Sequence, residues 1–385
     1  MSADRAAWND FCRRLGALGE RLHSETFPDA AHDRADGYAH LAEQVLCWTG
    51  WSLFHADPRR PTFQRQNDLI LQWGGPNADN VYRHARVEAG RHYRVRGRMH
   101  SCEEFILAVR AGFMHEPTWG TLHEVTATEL GIGEGDEFDF VVGDGGDVAL
   151  PDGAATVSIR EYYYDWRPLE PATFTIECID DDIDAPAPRL TAAEVSARLA
   201  RATAGVEHSI EYWNTYMRER QSEAPANTFA PALKVTKGLD AARYGFCFWD
   251  LAPDQALIVL SDVPDARYWT LQLYELGWFE LADTVERQVS LNQTQVDLDD
   301  DGRMHIVVSH DDPGVPNWLD SGGRRAGLLT FRWFWPRSDP TPEALVVPFD
   351  QLRDHLPPDT STIDGAGRAA VLRRRREHLS WRFRT

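Results

Sequence analysis

The chain has 385 residues, a formal net charge of −20 and 43% hydrophobic residues. That length accommodates two or three domains with separate cores, and that apolar content excludes global disorder. The acidic balance argues against nucleic acid as a partner, because phosphate would be repelled.

Arginine supplies nearly all the positive charge, since the only lysines are Lys234 and Lys237. The five cysteines, Cys12, Cys47, Cys102, Cys178 and Cys247, show no CxxC spacing, so zinc ribbons and redox pairs lack support. Buried free thiols in a reducing compartment are the expectation. The start "MSADRAAWNDFCRRLG" lacks a signal-peptide layout and no run is apolar enough to span a membrane, so a cytoplasmic protein is expected.

Trp8, Phe11, Leu15, Leu18 and Leu22 recur at helical spacing, and a second helix is predicted from Tyr38 to Phe54, with Leu41, Val45, Leu46 and Trp48 inward. From about Thr62 the texture becomes β-prone. "DLILQW", "HYRVRGRM", "EFILAVRAGF", "EFDFVVGD" and "ATVSIREYYY" are separated by turn signals such as "GGPNADN". Thr191 and Glu194 then stand in capping-box spacing before a long helix, whose buried side runs from Val195 to Met217. Strands return with "YGFCFWDL", "QALIVLSD", "RYWTLQLYEL", "TQVDL", "MHIVVSH" and "GLLTFRWFW". The closing "LRRRREHLSWRFRT" is predicted as a helix whose arginines meet the acidic body or a second copy of the chain.

The two β regions can be laid over one another, Tyr93 on Tyr268 and Arg160 on Arg332, at offsets of about 175 and about 172 residues. The expected fold is mainly β: two related antiparallel β-sandwich, jelly-roll-like domains joined by a long helix, with accessory helices. The segments are a helical N-terminus (1–61), a first sandwich (62–185), helix and linker (186–235), a second sandwich (236–348) and a helical basic tail (349–385).

"PNWLDSGGRRAGLLTFRWFWPR", with the preceding strands "RYWTLQLYE" and "QVDLDDDGRMHIVVSH", resembles the C-terminal signature of a bacterial family, domain of unknown function 1214. The resemblance covers about 262–347 and, more weakly through "GGPNADNVYRHARV", about 63–180. It implies β-sandwich domains with helices around them and supplies no activity.

Loop chemistry gives the candidates. "VSHDDPGVPNWLDSGG" concentrates His310, Asp312, Asn317 and Trp318 between strands. In "MHEPTWGTLHEVTATE", His123 and Glu124 are acid/base candidates if a cleft brings them together. Arg160, Trp166, Arg332 and Tyr82 are candidates for substrate binding, although an aromatic strand such as "FRWFW" is first a packing element. Asp297, Asp299 and Asp301 form half of a calcium loop, but Val308 stands where the bidentate acid belongs, which favours a hairpin turn. Asp180, Asp181, Asp182 and Asp184 read as a solvated linker. Nucleophile elbow, P-loop and dinucleotide fingerprint are absent. The expected function is a small-molecule enzyme of lyase, isomerase or hydrolase type. It would act without an organic cofactor on a polyol-like or aromatic substrate, in a cleft between the two β domains. The alternative is a non-catalytic binding or assembly protein, a homo-oligomer through the C-terminal helix.

Overall fold

The computed structural model describes residues 3–180 and 186–384, so Asp181, Asp182 and Asp184 lie outside the described residues. The chain divides into two units. Unit 1 comprises 1–74, 80–163 and 169–214; unit 2 comprises 75–79, 164–168 and 215–385. Two five-residue excursions of the first half therefore cluster with unit 2.

In chain order the elements are α1 (Ala3–Arg21), α2 (Ala31–Leu53), β1 (Gln64–Gln66), β2 (Asn80–Arg86), β3 (Tyr93–Arg98), β4 (Glu104–Gly112), β5 (Gly120–Thr126), β6 (Glu137–Val142), β7 (Thr156–Tyr162) and β8 (Thr173–Cys178). After α3 (Ala192–Gln221) follow β9 (Ala242–Asp250), β10 (Gln255–Ser261), β11 (Ala266–Tyr274), β12 (Ser290–Asn292), β13 (Met304–Ser309), β14 (Trp318–Asp320), β15 (Ala326–Pro336) and β16 (Glu343–Pro348). A short 3-10 helix and α4 (Gly365–Phe383) close the chain.

Unit 1 has sheets β1-β2-β7-β4-β5 and β6-β3-β8; unit 2 has β12-β11-β15-β9 and β14-β13-β10-β16. Without the edge strands β1 and β14, the two units have the same strand order. β2-β7-β4-β5 corresponds to β9-β15-β11-β12, and β6-β3-β8 to β13-β10-β16. This is a jelly-roll order lacking its first strand. Arg160 and Arg332 fall on equivalent strands, β7 and β15. Tyr93 and Tyr268 do not: Tyr93 lies on β3, whose counterpart is β10, whereas Tyr268 lies on β11, the counterpart of β4. The repeat is one of strand order and register, and aromatic similarity alone placed that anchor one strand off. All sheet pairs are antiparallel except β13 with β14.

Side-chain alternation explains the layering. In unit 2, Leu329, Phe331 and Trp333 of β15 enter one core with Trp269 and Leu271 of β11, Leu257 and Val259 of β10, and Ile306 of β13. Each such side chain contributes about 1.5–3 kcal/mol when fully buried. Arg332 and Phe334 point to the opposite face. Trp335 leaves the alternation because its φ of 51° turns the strand out. In unit 1, Phe105 of β4 meets Phe138, Phe140 and Phe174 of the other sheet.

The capping box forms as predicted, with Thr191 N–H donating to Glu194 at 2.7 Å and Glu194 N–H to Thr191 Oγ1 at 3.2 Å. Two predicted strands are loops. In "DLILQW", the Asp68 carboxylate accepts from Ile70 and Leu71 N–H groups, a local turn that competes with a ladder. "TQVDL" gives way to β12, just upstream, because Gln295 and Val296 N–H groups bond back to Asn292 O. Leu46 and Trp8 are exposed rather than inward. All five cysteines are free, and four are buried. Among the described residues, no helix is long and apolar enough to cross a membrane.

Candidate functional site

The second face of the β12-β11-β15-β9 sheet carries Tyr268, Thr270, Gln272, Tyr274, Asn292 and Arg332, and all are buried. A buried sheet face with this many polar groups must be answered by polar cover. The cover comes from 75–79, from 164–168 and from α4.

Gly75 makes the approach of the first segment possible. Its φ is +65°, and a Cβ there would stand 2.3 Å from the Phe279 ring. Its N–H donates to Phe279 O at 2.8 Å, and Arg332 Nη2 donates to Gly75 O at 2.6 Å. Arg332 also donates to Tyr274 Oη at 2.6 Å, while Tyr274 O–H donates to Pro76 O at 2.5 Å. Gln272 Nε2 donates to Asn77 Oδ1 at 2.6 Å.

Asp79 is the centre of this network. It is 1% exposed. Its carboxylate accepts from Tyr268 O–H at 2.5 Å, Trp166 Nε1 at 2.6 Å and Asn292 Nδ2 at 3.0 Å. Burial raises its pKa, against the lowering effect of these donors and of Arg382. Trp166 is in turn stacked on His378, with ring centroids 4.7 Å apart at 8°, and the Arg375 guanidinium lies 4.2 Å from the ring. Arg375 donates to Ser290 O at 3.1 Å, and burial lowers its pKa to about 9. Burial, then Arg382, holds His378 neutral, its pKa lowered to about 2. Neither Arg375 Nε nor His378 Nε2 has a hydrogen-bond partner.

Arg332 and Trp166 are thus brought into one network, and "GGPNADN" supplies Asn77 and Asp79 to it. The remaining candidates stand elsewhere. His310 uses both ring nitrogens, Nδ1 2.8 Å from Ser321 Oγ and Nε2 3.3 Å from Leu251 O. Asp312 is clamped by Arg368 at 2.9 and 3.2 Å, so the structure does not pair it with His310. Asn317 donates to the carbonyls of Asp297 and His305 at 2.6 and 3.1 Å, and Trp318 packs in a small apolar core under Arg368. His123 and Glu124 are successive residues of the edge strand β5 and so point to opposite sides. Tyr82 stands opposite Arg160, whose guanidinium lies 5.4 Å from its ring.

Asp299 Oδ2 lies 2.8 Å from His305 Nδ1, and Asp301 accepts from Arg303 N–H. Asp297 is held at its backbone by Asn317. The three carboxylates do not converge, and no group of three or more metal-ligating acids, histidines or cysteines occurs among the described residues. Sequence reasoning did not assign Tyr268, Asn292, Arg375 and His378 to a site. Only the unusual arginine content of the last helix signalled two of them.

The strand positions of unit 2 agree with a family match. Residues 252–338 match the model of the DUF1214 family, described as protein of unknown function. The segment supplies Tyr268, Gln272, Tyr274, Asn292 and Arg332; Asp79, Trp166 and α4 lie outside it. An uncharacterized protein from Burkholderia cenocepacia has a similar crystal structure: TM-score 0.80, 27% identity, covering 89% of this chain and 97% of that one. A Vibrio parahaemolyticus protein is more distant, at TM-score 0.45 and 12% identity, covering 81% of this chain and 98% of that one. No curated protein matches the sequence.

Proposed function

We propose that the protein is a small-molecule enzyme working by acid/base chemistry, and that Asp79 is its proton-transfer group. One observation carries this reading. A buried carboxylate with a raised pKa stands among a phenol, an indole and an amide, on the face that holds Arg332. A carboxyl pushed upward by burial moves towards the range where it both gives and takes a proton near neutrality. Tyr268 is its proton-bearing neighbour, Trp166 Nε1 fixes its second oxygen, and Arg332 and Arg375 can answer negative charge that develops on a substrate. This suits lyase, isomerase or hydrolase chemistry on an aromatic or polyol-like compound, without an organic cofactor or calcium. A reducing, cytoplasmic location is proposed from the five free thiols.

A second reading, a binding or assembly protein, has its own support. Three donors already fill Asp79, and His310 and Asp312 are tied to structural partners. Trp381 of α4, 53% exposed, is available to a second copy of the chain. The test is a thermal-shift screen of aromatic acids and polyols on wild type and Asp79→Asn, followed by product analysis. A compound that stabilises both proteins but is converted only by wild type supports the enzyme. A compound bound and never converted supports the binding protein, and no stabiliser at all, with a dimer in sedimentation, supports assembly.

A further inference from the structure

In unit 1, α2 and α3 run antiparallel in close contact. Ser209 Oγ donates to Gln44 Oε1 at 2.9 Å, and Arg198 Nη1 donates to Leu53 O at 2.6 Å. Between them, a Cβ on Gly205 would stand 3.1 Å from Trp48 Cβ. This register sets Arg201 level with Trp51. Arg86, the last residue of β2, lies over the Trp51 ring, its guanidinium 4.4 Å from the centroid. The Phe113 ring meets Trp51 at 5.6 Å, and the Glu116 carboxylate accepts from Phe113 N–H at 2.7 Å. Two arginines and one carboxylate are thereby collected about one indole.

Other arginines that meet α3 are answered by acids: Arg14 donates to Glu207 at 2.9 Å, and Arg21 bonds Glu211. Arg86 and Arg201 are not. Among the described residues no carboxylate forms an ion pair with either, and Arg86 Nε is buried without a hydrogen-bond partner. With 60 acidic residues against 40 basic ones, the chain has counter-charges to spare and withholds them here. Burial lowers the pKa of Arg86 to about 10; Glu116 opposes that fall and Arg201 adds to it. Burial raises the pKa of Glu116, while the Phe113 N–H, Arg86 and His208 draw it back. Like charges held side by side are unfavourable until an anion joins them. Trp51 is 2% exposed, but Arg86 is half-buried and Arg201 exposed, so the site opens to solvent.

We infer that Arg86 and Arg201 form a surface site for a small carboxylate. Trp51 holds the Arg86 guanidinium by its face, and the planar fork keeps its N–H edge for two parallel bonds to a carboxylate. Arg201 adds its charge from α3. Glu116 offsets one of the two positive charges, so a monoanion is better matched than a phosphate dianion. Binding at so open a site weakens as salt rises. The site lies wholly in unit 1 and does not depend on the role of Asp79.

The test titrates the full chain with sodium acetate and with sodium phosphate near neutral pH, ionic strength held constant with chloride, and reads the melting temperature. A saturable rise with acetate is expected, and a smaller one with phosphate. Arg86→Met keeps the stack on Trp51 and removes the fork; it should raise the acetate concentration needed for a given shift about tenfold or more, the loss of charge-assisted hydrogen bonds. Arg201→Glu changes an exposed helix position, so it tests the charge without disturbing the core; it should raise that concentration about threefold or more. The proposal is overturned if acetate stabilises no more than chloride, or if either variant that folds responds to acetate as wild type does. A larger shift with phosphate than with acetate overturns the carboxylate class. A crystal soaked in acetate that shows only water at the Arg86 guanidinium overturns the site.

Discussion

In unit 1 the cross-strand pair Tyr82–Arg160 sits beside His84 and Ser158; in unit 2 the equivalent pair Tyr244–Arg332 sits beside Phe246 and Thr330. Both guanidiniums lie 5.4 Å from their tyrosine ring. One step along the strands, on the face turned to the other sheet, the units part. Unit 1 places Arg83 opposite Ile159 and puts Glu161 two residues on, whereas unit 2 has Gly245 opposite Phe331 and then Trp333. A Cβ on Gly245 would come 1.9 Å from the Phe331 ring, so the large ring requires the glycine. The two units reach the same strand order by different routes, ionic at this point in one and aromatic in the other. Strand order is a property of register and alternation, and it tolerates either filling.

Breaking the ionic route should have the largest effect. Glu161 is fully buried and accepts from Arg83 at 2.5 Å and from Tyr163 O–H at 2.5 Å. Arg83→Met leaves that carboxylate without its counter-charge and should cost about 3–5 kcal/mol. The double variant Arg83→Met, Glu161→Leu removes both charges and should be less damaging than the single one, since the remaining cost is packing. Urea unfolding of the two variants checks this; a double variant that is worse by the sum of two independent losses sinks the ionic account.

The shared pair is not equally important in the two units. Arg332 is 5% exposed and serves Gly75 O and Tyr274 Oη, so Arg332→Met should cost about 3 kcal/mol by leaving buried acceptors unanswered. Arg160 is half-buried, and Arg160→Met should cost less than Arg332→Met, about 1 kcal/mol, the loss of its contact with Tyr82 included. Equal losses would mean that the cover of residues 75–79 contributes nothing to unit 2.

A smaller, graded effect concerns protons. The folded-state pKa of His115 is lowered to about 3, below the ordinary 6.5 of the unfolded chain. Above pH 6.5 the imidazole is neutral in both states and costs nothing. Below it the unfolded chain gains a proton that the fold refuses, so stability falls by about 1.4 kcal/mol per pH unit until roughly pH 3. His378 in unit 2 has the same sign, its pKa lowered to about 2. His115→Phe should therefore flatten the acid limb of the stability curve between pH 6.5 and 4 and leave the His378 share. An unchanged slope would show that His115 is not the group refusing the proton.

Alternation made much of the fold legible. "FRWFW" could be resolved into a core face and an arginine face before any coordinates, and the long helix declared its cap and its buried side. The polar cover was far less legible, because Asp79, Trp166 and Arg375 are far apart in sequence and each looks ordinary in its own neighbourhood. His310 and Asp312 drew attention because titratable groups crowd one loop. In the fold Asp312 answers the Gly314 N–H and Arg368, which is what a tight turn with many unpaired N–H groups requires, and His310 bridges Ser321 Oγ and Leu251 O. "DLILQW" misled for the opposite reason: its apolar residues look like a strand, but Asp68 turns the chain before a ladder can form.

The smallest expected effect separates a turn from a metal loop in unit 2, where the β12–β13 connection carries Asp297, Asp299 and Asp301. Gly302 has a φ of +74° and open space around its Cβ position, and its N–H donates to Asp299 O at 2.8 Å. Gly302→Ala meets no clash and should cost only the strain of a left-handed residue, about 1 kcal/mol. Because these acids form no metal-ligating group among the described residues, calcium or a chelator should leave the melting temperature unchanged in wild type and in Gly302→Ala alike. A rise with calcium that Gly302→Ala abolishes would instead mean that the loop closes on a cation, and that unit 2 carries a device for which the equivalent β5–β6 connection of unit 1 has no counterpart among its described residues.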